Sequence, residues 1–153
     1  MRSAVAVARA VPAREWPGVL MAAAVAVIVE IGLRTMTLPR LAKLLGVPLR
    51  LDDGDAVMPE PGVLRARPWV QRRLRATRRV MRHWPFGDTC LRRALVSGHR
   101  LRRLHPALRV GVAKIDGRIQ AHAWLEVNGV SLDPAGAAAY RTLETVRPGG
   151  GPR

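Results

Sequence analysis

The sequence predicts an α+β domain in which a thiol-bearing helix packs on a small antiparallel sheet, with helices in front of it. Three observations carry this. Apolar residues recur at helical spacing as far as Leu104. After Pro106 the apolar period changes to two, and Asp116-Gly117 and Asn128-Gly129 interrupt it as two-residue hairpin turns. The single cysteine, Cys90, lies on the helical side of that change, and His122 on the strand side.

Residues 1–15 have no clear period and read as a loose arm. Residues 17–46 read as one or two helices broken near Pro39. Val19 to Val29 is an unbroken apolar run closed by Glu30. A bare membrane span needs roughly 20 apolar residues, and this run falls short. Arg14 and Glu15 precede it, and no small-residue cleavage site follows before Glu30 and Arg34, so it is not read as a signal peptide. The run reads as a buried or partner-facing helix. Peripheral contact with a membrane through residues 17–33 is the competing reading.

Pro48 to Gly62 holds three prolines, two glycines and four acids and reads as a linking loop. The expected organisation is therefore an N-terminal helical segment and linker (1–62), a catalytic core (63–147) and a flexible tail (148–153). Pro68 to Trp84 reads as a basic helix carrying Arg72, Arg73, Arg75, Arg78, Arg79 and Arg82. Its apolar residues Trp69, Val70, Leu74, Val80 and Met81 make a ragged stripe, and its arginines read as a solvated face. Asp88 or Thr89 caps the next helix. There Leu91, Ala94, Leu95, Leu101 and Leu104 share one face, and Gly98 is either a break or a place where a neighbour comes close. Strands follow over Arg109–Ile115, Arg118–Val127 and Val130–Asp133.

Two-residue turns fix strand register. The Asn128-Gly129 turn pairs Val127 with Val130 and Trp124 with Asp133. The Asp116-Gly117 turn sets Gly111 opposite His122. Side chains alternate along a strand, so His122 and Trp124 share a face, and Asp133 is the diagonal neighbour of His122 at roughly 7–8 Å. Gly111, Ala113 and Ile115 lie on that face, and the small residues beside the histidine leave room for the Cys90 helix to pack close.

Cys90, His122 and Asp133 then make a candidate nucleophile, base and orienting acid. Helix-start N–H groups and the helix dipole favour a thiolate, the reactive species. An imidazole serves as its proton acceptor, and a carboxylate sets the imidazole's tautomer. The Cys90 N–H can face a developing oxyanion; a second donor is not evident, and the Trp84 indole is offered by position alone without being assigned. Each residue also has a plainer reading: a small buried thiol, a strand histidine, and a turn aspartate before proline.

Composition bounds the alternatives. The 153 residues suit one domain, and 48% of them are apolar, which excludes a disordered chain. The formal net charge is +15 and the pI about 11.9. Nearly all of the positive charge is arginine, since only Lys43 and Lys114 are lysines. Such a charge attracts nucleic acid, anionic lipid or an acidic protein. One cysteine forms no internal disulfide. His83, His99, His105 and Cys90 do not make a compact zinc pattern, and there is no phosphate-binding glycine loop.

Cys90-Leu91-x-Arg93-Ala94-Leu95, Arg102-Arg103, Val110-Gly111-Val112, Ala121-His122-Ala123-Trp124-Leu125-Glu126 and Asp133 together resemble a known family. It is the transglutaminase-like leader peptidase of lasso-peptide biosynthesis, the protease half of the B component, and the likeness runs from about Trp84 to Pro134. The resemblance implies a papain- or transglutaminase-like core with Cys90 as nucleophile, His122 as base and Asp133 as orienting acid, and no cofactor or metal. It implies a cysteine peptidase that removes the leader from a ribosomally made precursor peptide. A small leader-binding protein delivers the substrate, an ATP-dependent cyclase acts afterwards, and no nucleic acid is involved. The expected location is the cytoplasm, with membrane association through residues 17–33 as an option. Competing readings are a transglutaminase-type acyl transferase, a nucleic-acid binder using the Arg-rich helix, and a peripheral membrane protein.

Overall fold

A computed structural model describes residues 12–50, 67–115, 117–132 and 141–142. A single 3-10 turn, Ala13–Glu15, leads into helix α1, Trp16–Thr35. The chain breaks at Met36 and Thr37 and resumes as α2, Leu38–Leu44, with Pro39 in its first turn. A proline is tolerated there because its missing N–H would have had no helical acceptor. Gly32 lets the two helices close up: a Cβ at that position would stand 2.4 Å from Leu41 Cδ1.

Helix α3 spans Pro68–Arg82 and α4 spans Cys90–Arg100. Thr89 is the N-cap of α4, its hydroxyl accepting from the Arg92 N–H at 3.3 Å. This settles the capping choice between Asp88 and Thr89. Asp88 instead pairs with Arg93, at 2.7 Å. A 3-10 turn over Arg102–Leu104 and a left-handed His105 close the helical half.

The sheet has the order β3-β2-β1-β4 and is antiparallel. Its strands are β1 (Ala107–Ile115), β2 (Arg118–Val127), β3 (Val130–Ser131) and β4 (Arg141–Thr142). The register is the one the turns dictate: Gly111 is opposite His122, and Val127 opposite Val130. Asn128 and Gly129 both have positive φ, 50° and 76°, as a two-residue hairpin requires. β4 has no counterpart in the sequence reading, because two residues are too few to carry a period.

One core joins the two halves. Val25, Val29 and Leu41 pack in the same cluster as Val70, Met81, Leu95, Leu101, Leu108 and Leu125. Residues on both sides of the expected 62/63 boundary therefore share one hydrophobic interior. Gly98 is a close-approach glycine and not a break: a Cβ there would lie 2.7 Å from both Val47 methyl groups and 3.0 Å from a Leu125 methyl. Ala13–Thr35 is long and apolar enough to cross a membrane by length and composition, and 33% of its most apolar window is buried.

Candidate active site

A cavity of about 110 Å³ lies between α3, α4 and β2. Leu74 and Arg78 line it from α3, Cys90, Arg93, Ala94 and Ser97 from α4, and His122 to Leu125 from β2, with Leu132 beyond. Both candidate reactive residues thus border one space. Cys90 is the first residue of α4 and half-buried. The first four N–H groups of a helix have no helical acceptor, so the start of α4 offers donors where negative charge can be held.

Two partly buried ion pairs brace the elements that carry the walls of this cavity. On the helix side, Arg92 donates to both oxygens of Glu30, at 2.8 and 3.3 Å. Arg34 donates to the same carboxylate at 3.1 Å. The Arg92 guanidinium holds the Glu30 carboxyl below the usual carboxylate range; burial opposes this, while Arg34 and the Trp84 indole add smaller lowerings. The indole N–H of Trp84 is buried and makes no hydrogen bond of normal geometry among the described residues. Its electrostatic partner is Glu30, and Trp84 does not line the cavity. The loop before α4 turns the Trp84 ring toward α1, away from the cavity.

On the strand side, Arg109 donates to Glu126 at 2.7 Å, and the Trp124 indole donates to the other Glu126 oxygen at 3.1 Å. The Trp124 ring stacks on His122, with 6.0 Å between centroids and planes 16° apart. A charge pair thus fixes the indole, and the indole supports the imidazole.

The packing of α4 differs from the sequence expectation. Ala123, Leu125 and Val127 join the core with Leu95, Leu101 and Leu108, whereas Trp124 is buried outside that cluster. Alternation puts His122 on the Trp124 face. The helix therefore lies over the Ala123–Leu125 face, and His122 borders the cavity from the Trp124 face, at the edge of β2 that the short β3 leaves uncovered. The cause is the Gly98 notch, which Val47 and Leu125 fill. Asp133 lies outside the described residues, as do most of the linker and the tail. Among the described residues no group of three His, Cys, Asp or Glu could hold a metal ion.

The sequence reading missed Glu30 and Glu126 as anchors. Glu30 had a signal, a lone acid closing an apolar run. Glu126 had none beyond its place on the His122 face.

A helix bearing a half-buried thiol at its first residue, set with a strand histidine around one cavity on an antiparallel sheet, has the build of the cysteine hydrolase and acyl-transferase class. Residues 33–145, well over half of the chain, match the Transglutaminase-like superfamily. The chain belongs to that superfamily. No curated protein and no solved structure gives a significant match.

Proposed function

We propose that the protein is a cysteine peptidase that removes the leader from a ribosomally synthesised lasso-peptide precursor. The observation that carries the chemistry is the shared cavity of Cys90 and His122. Superfamily membership supports the general kind of activity. The Cys90, His122 and Asp133 motifs support the finer reading by resemblance.

In this reading His122 takes the Cys90 proton as sulfur attacks the scissile carbonyl carbon. The tetrahedral oxyanion is held by N–H groups at the start of α4. Collapse expels the amine, which takes the proton from His122, and leaves a thioester. Water, deprotonated by His122, hydrolyses the thioester and regenerates the thiol. Asp133 orients the imidazole. A leader-binding protein brings the precursor, and the ATP-dependent cyclase follows. The Arg-rich α3 exposes Arg72, Arg75, Arg78 and Arg82, which suits an acidic face of that partner and an association that slows with salt.

The experiment mixes protein, precursor and leader-binding partner and reads products by mass spectrometry. Separate leader and core peptides are expected, with none from Cys90→Ala. An adduct with an added amine and no hydrolysis would make the protein an acyl transferase instead. Equal cleavage with Cys90→Ala would remove the enzyme reading.

A further inference from the structure

Helix α1 is apolar on both sides, but the core covers only one. Ala22, Val25, Ala26 and Val29 face the interior. The opposite face, Pro17, Leu20, Met21, Ala24, Val27, Ile28 and Ile31, is exposed along its whole length. Leu20 is 60% exposed, Met21 59% and Ile31 57%. At 1.5 Å per residue this ridge runs about 20 Å. A helix that is apolar all round normally has both faces buried, and among the described residues this face lacks a cover.

Charge identifies the cover. Arg14 precedes the ridge, Arg34 closes it, and exposed Arg40 and Lys43 follow in α2. Leu44, 70% exposed, and Phe86, 47% exposed, extend the apolar surface near that end, where the Arg34 guanidinium sits 4.5 Å above the Phe86 ring. Every acid among the described residues is already ion-paired with an arginine: Glu15 with Arg79, Glu30 with Arg34 and Arg92, Asp88 with Arg93, and Glu126 with Arg109. Most of the surplus cations, Arg40 and Lys43 among them, are exposed. A second copy would bring another +15 chain against the same cationic ends. A protein interface would carry about one hydrogen bond per 100–200 Å², and the ridge offers no polar side chain between Pro17 and Ile31. Acyl chains ask for none.

We propose that the exposed face of α1 docks flat on an anionic lipid surface, with Leu20, Met21, Val27, Ile28 and Ile31 entering the headgroup–acyl boundary and Arg40 and Lys43 contacting lipid phosphates. The cavity opens elsewhere, between α3, α4 and β2, so docking is independent of the chemistry proposed there.

The test is flotation of the full chain with phosphatidylcholine vesicles, with and without phosphatidylglycerol, at low and high salt. Wild type floats with the anionic vesicles at low salt and far less at high salt or with phosphatidylcholine alone. Leu20→Gln with Ile28→Gln weakens binding by about tenfold or more. Val27→Glu, a single change at an exposed position, does the same, and thermal melts verify that both variants are folded. Wild type left at the bottom of the gradient overturns the proposal, as does flotation unaffected by lipid charge. So does flotation of both folded variants at the wild-type level. Sedimentation velocity showing a wild-type dimer that the variants lose would assign the ridge to a second copy instead.

Discussion

The two walls of the cavity are held by the same device used differently. On the helix wall, Glu30 of α1 grips Arg92, two residues after Cys90. That contact ties the start of α4 to another helix 62 positions away in the chain. On the strand wall, Glu126 and Arg109 sit on paired strands, and their pair acts through Trp124 on His122. The helix wall thus depends on long-range docking, and the strand wall is set within one hairpin. Damage to the N-terminal helix should therefore reach the thiol, whereas damage to the hairpin should reach the imidazole.

The largest expected effects fall on the proposed nucleophile, base and orienting acid. Cys90→Ala should abolish cleavage with the melting temperature nearly unchanged, checked by mass spectrometry and a thermal melt. His122→Ala should lose roughly 100-fold or more. Asp133→Asn should fall less, since it alters orientation and tautomer and not bond making.

Next come the anchors. Arg109→Met leaves the partly buried Glu126 carboxylate without its cation, held only by the Trp124 indole, and should cost about 2 kcal/mol in a denaturant melt. Glu30→Gln should lower the melting temperature and slow Cys90 alkylation. The comparison predicts a crossed pattern: Arg109→Met changes His122 resonances more than Cys90 reactivity, and Glu30→Gln does the reverse. Equal effects of both variants on both probes would show that the walls are one unit.

How much of this was legible differs between the walls. The register of the strand wall could be read, because two-residue turns and a period of two leave one choice, but its Arg109–Glu126 anchor could not. The helix wall could not. Glu30 interrupts an apolar run whichever residue it pairs with, and nothing in the order of the chain brings Arg92 to it. The placement of α4 over Ala123 and Leu125 was likewise hidden. It follows from the Gly98 notch accepting Val47 and Leu125, a tertiary fit that no period announces. Asp133 is outside the described residues, so the third candidate rests on register and resemblance.

Acid pH sharpens the comparison further. The Glu30 carboxyl binds a proton less readily in the folded protein than in the unfolded chain, so protonation favours unfolding. Its contribution is complete above the ordinary carboxylate range and is lost as pH falls through the lowered folded value. Wild-type stability should drop there, and the stability difference between wild type and Glu30→Gln should shrink across the same window, read from urea melts at several pH values.

The smallest effect concerns Arg100. It is buried, and its Nε and Nη1 lack hydrogen-bond partners among the described residues. Burial first, and the Arg73 charge second, lower its pKa. Arg100→Met keeps the packing and removes the stranded charge, so it should be neutral or stabilising by about 1 kcal/mol. A clear loss of stability would mean that the guanidinium is paired.

The central claim is that Cys90 and His122 act as nucleophile and base across one cavity, and alkylation of the single thiol tests it most directly. Iodoacetamide labelling rates are measured on native wild type, His122→Ala and denatured protein. Native wild-type Cys90 should react faster than the denatured thiol at mildly acidic pH, and His122→Ala should slow it while the helix N-terminus preserves part of the advantage. Slow native labelling that His122→Ala leaves unchanged, and that becomes fast only on unfolding, would make Cys90 a core residue and contradict the account.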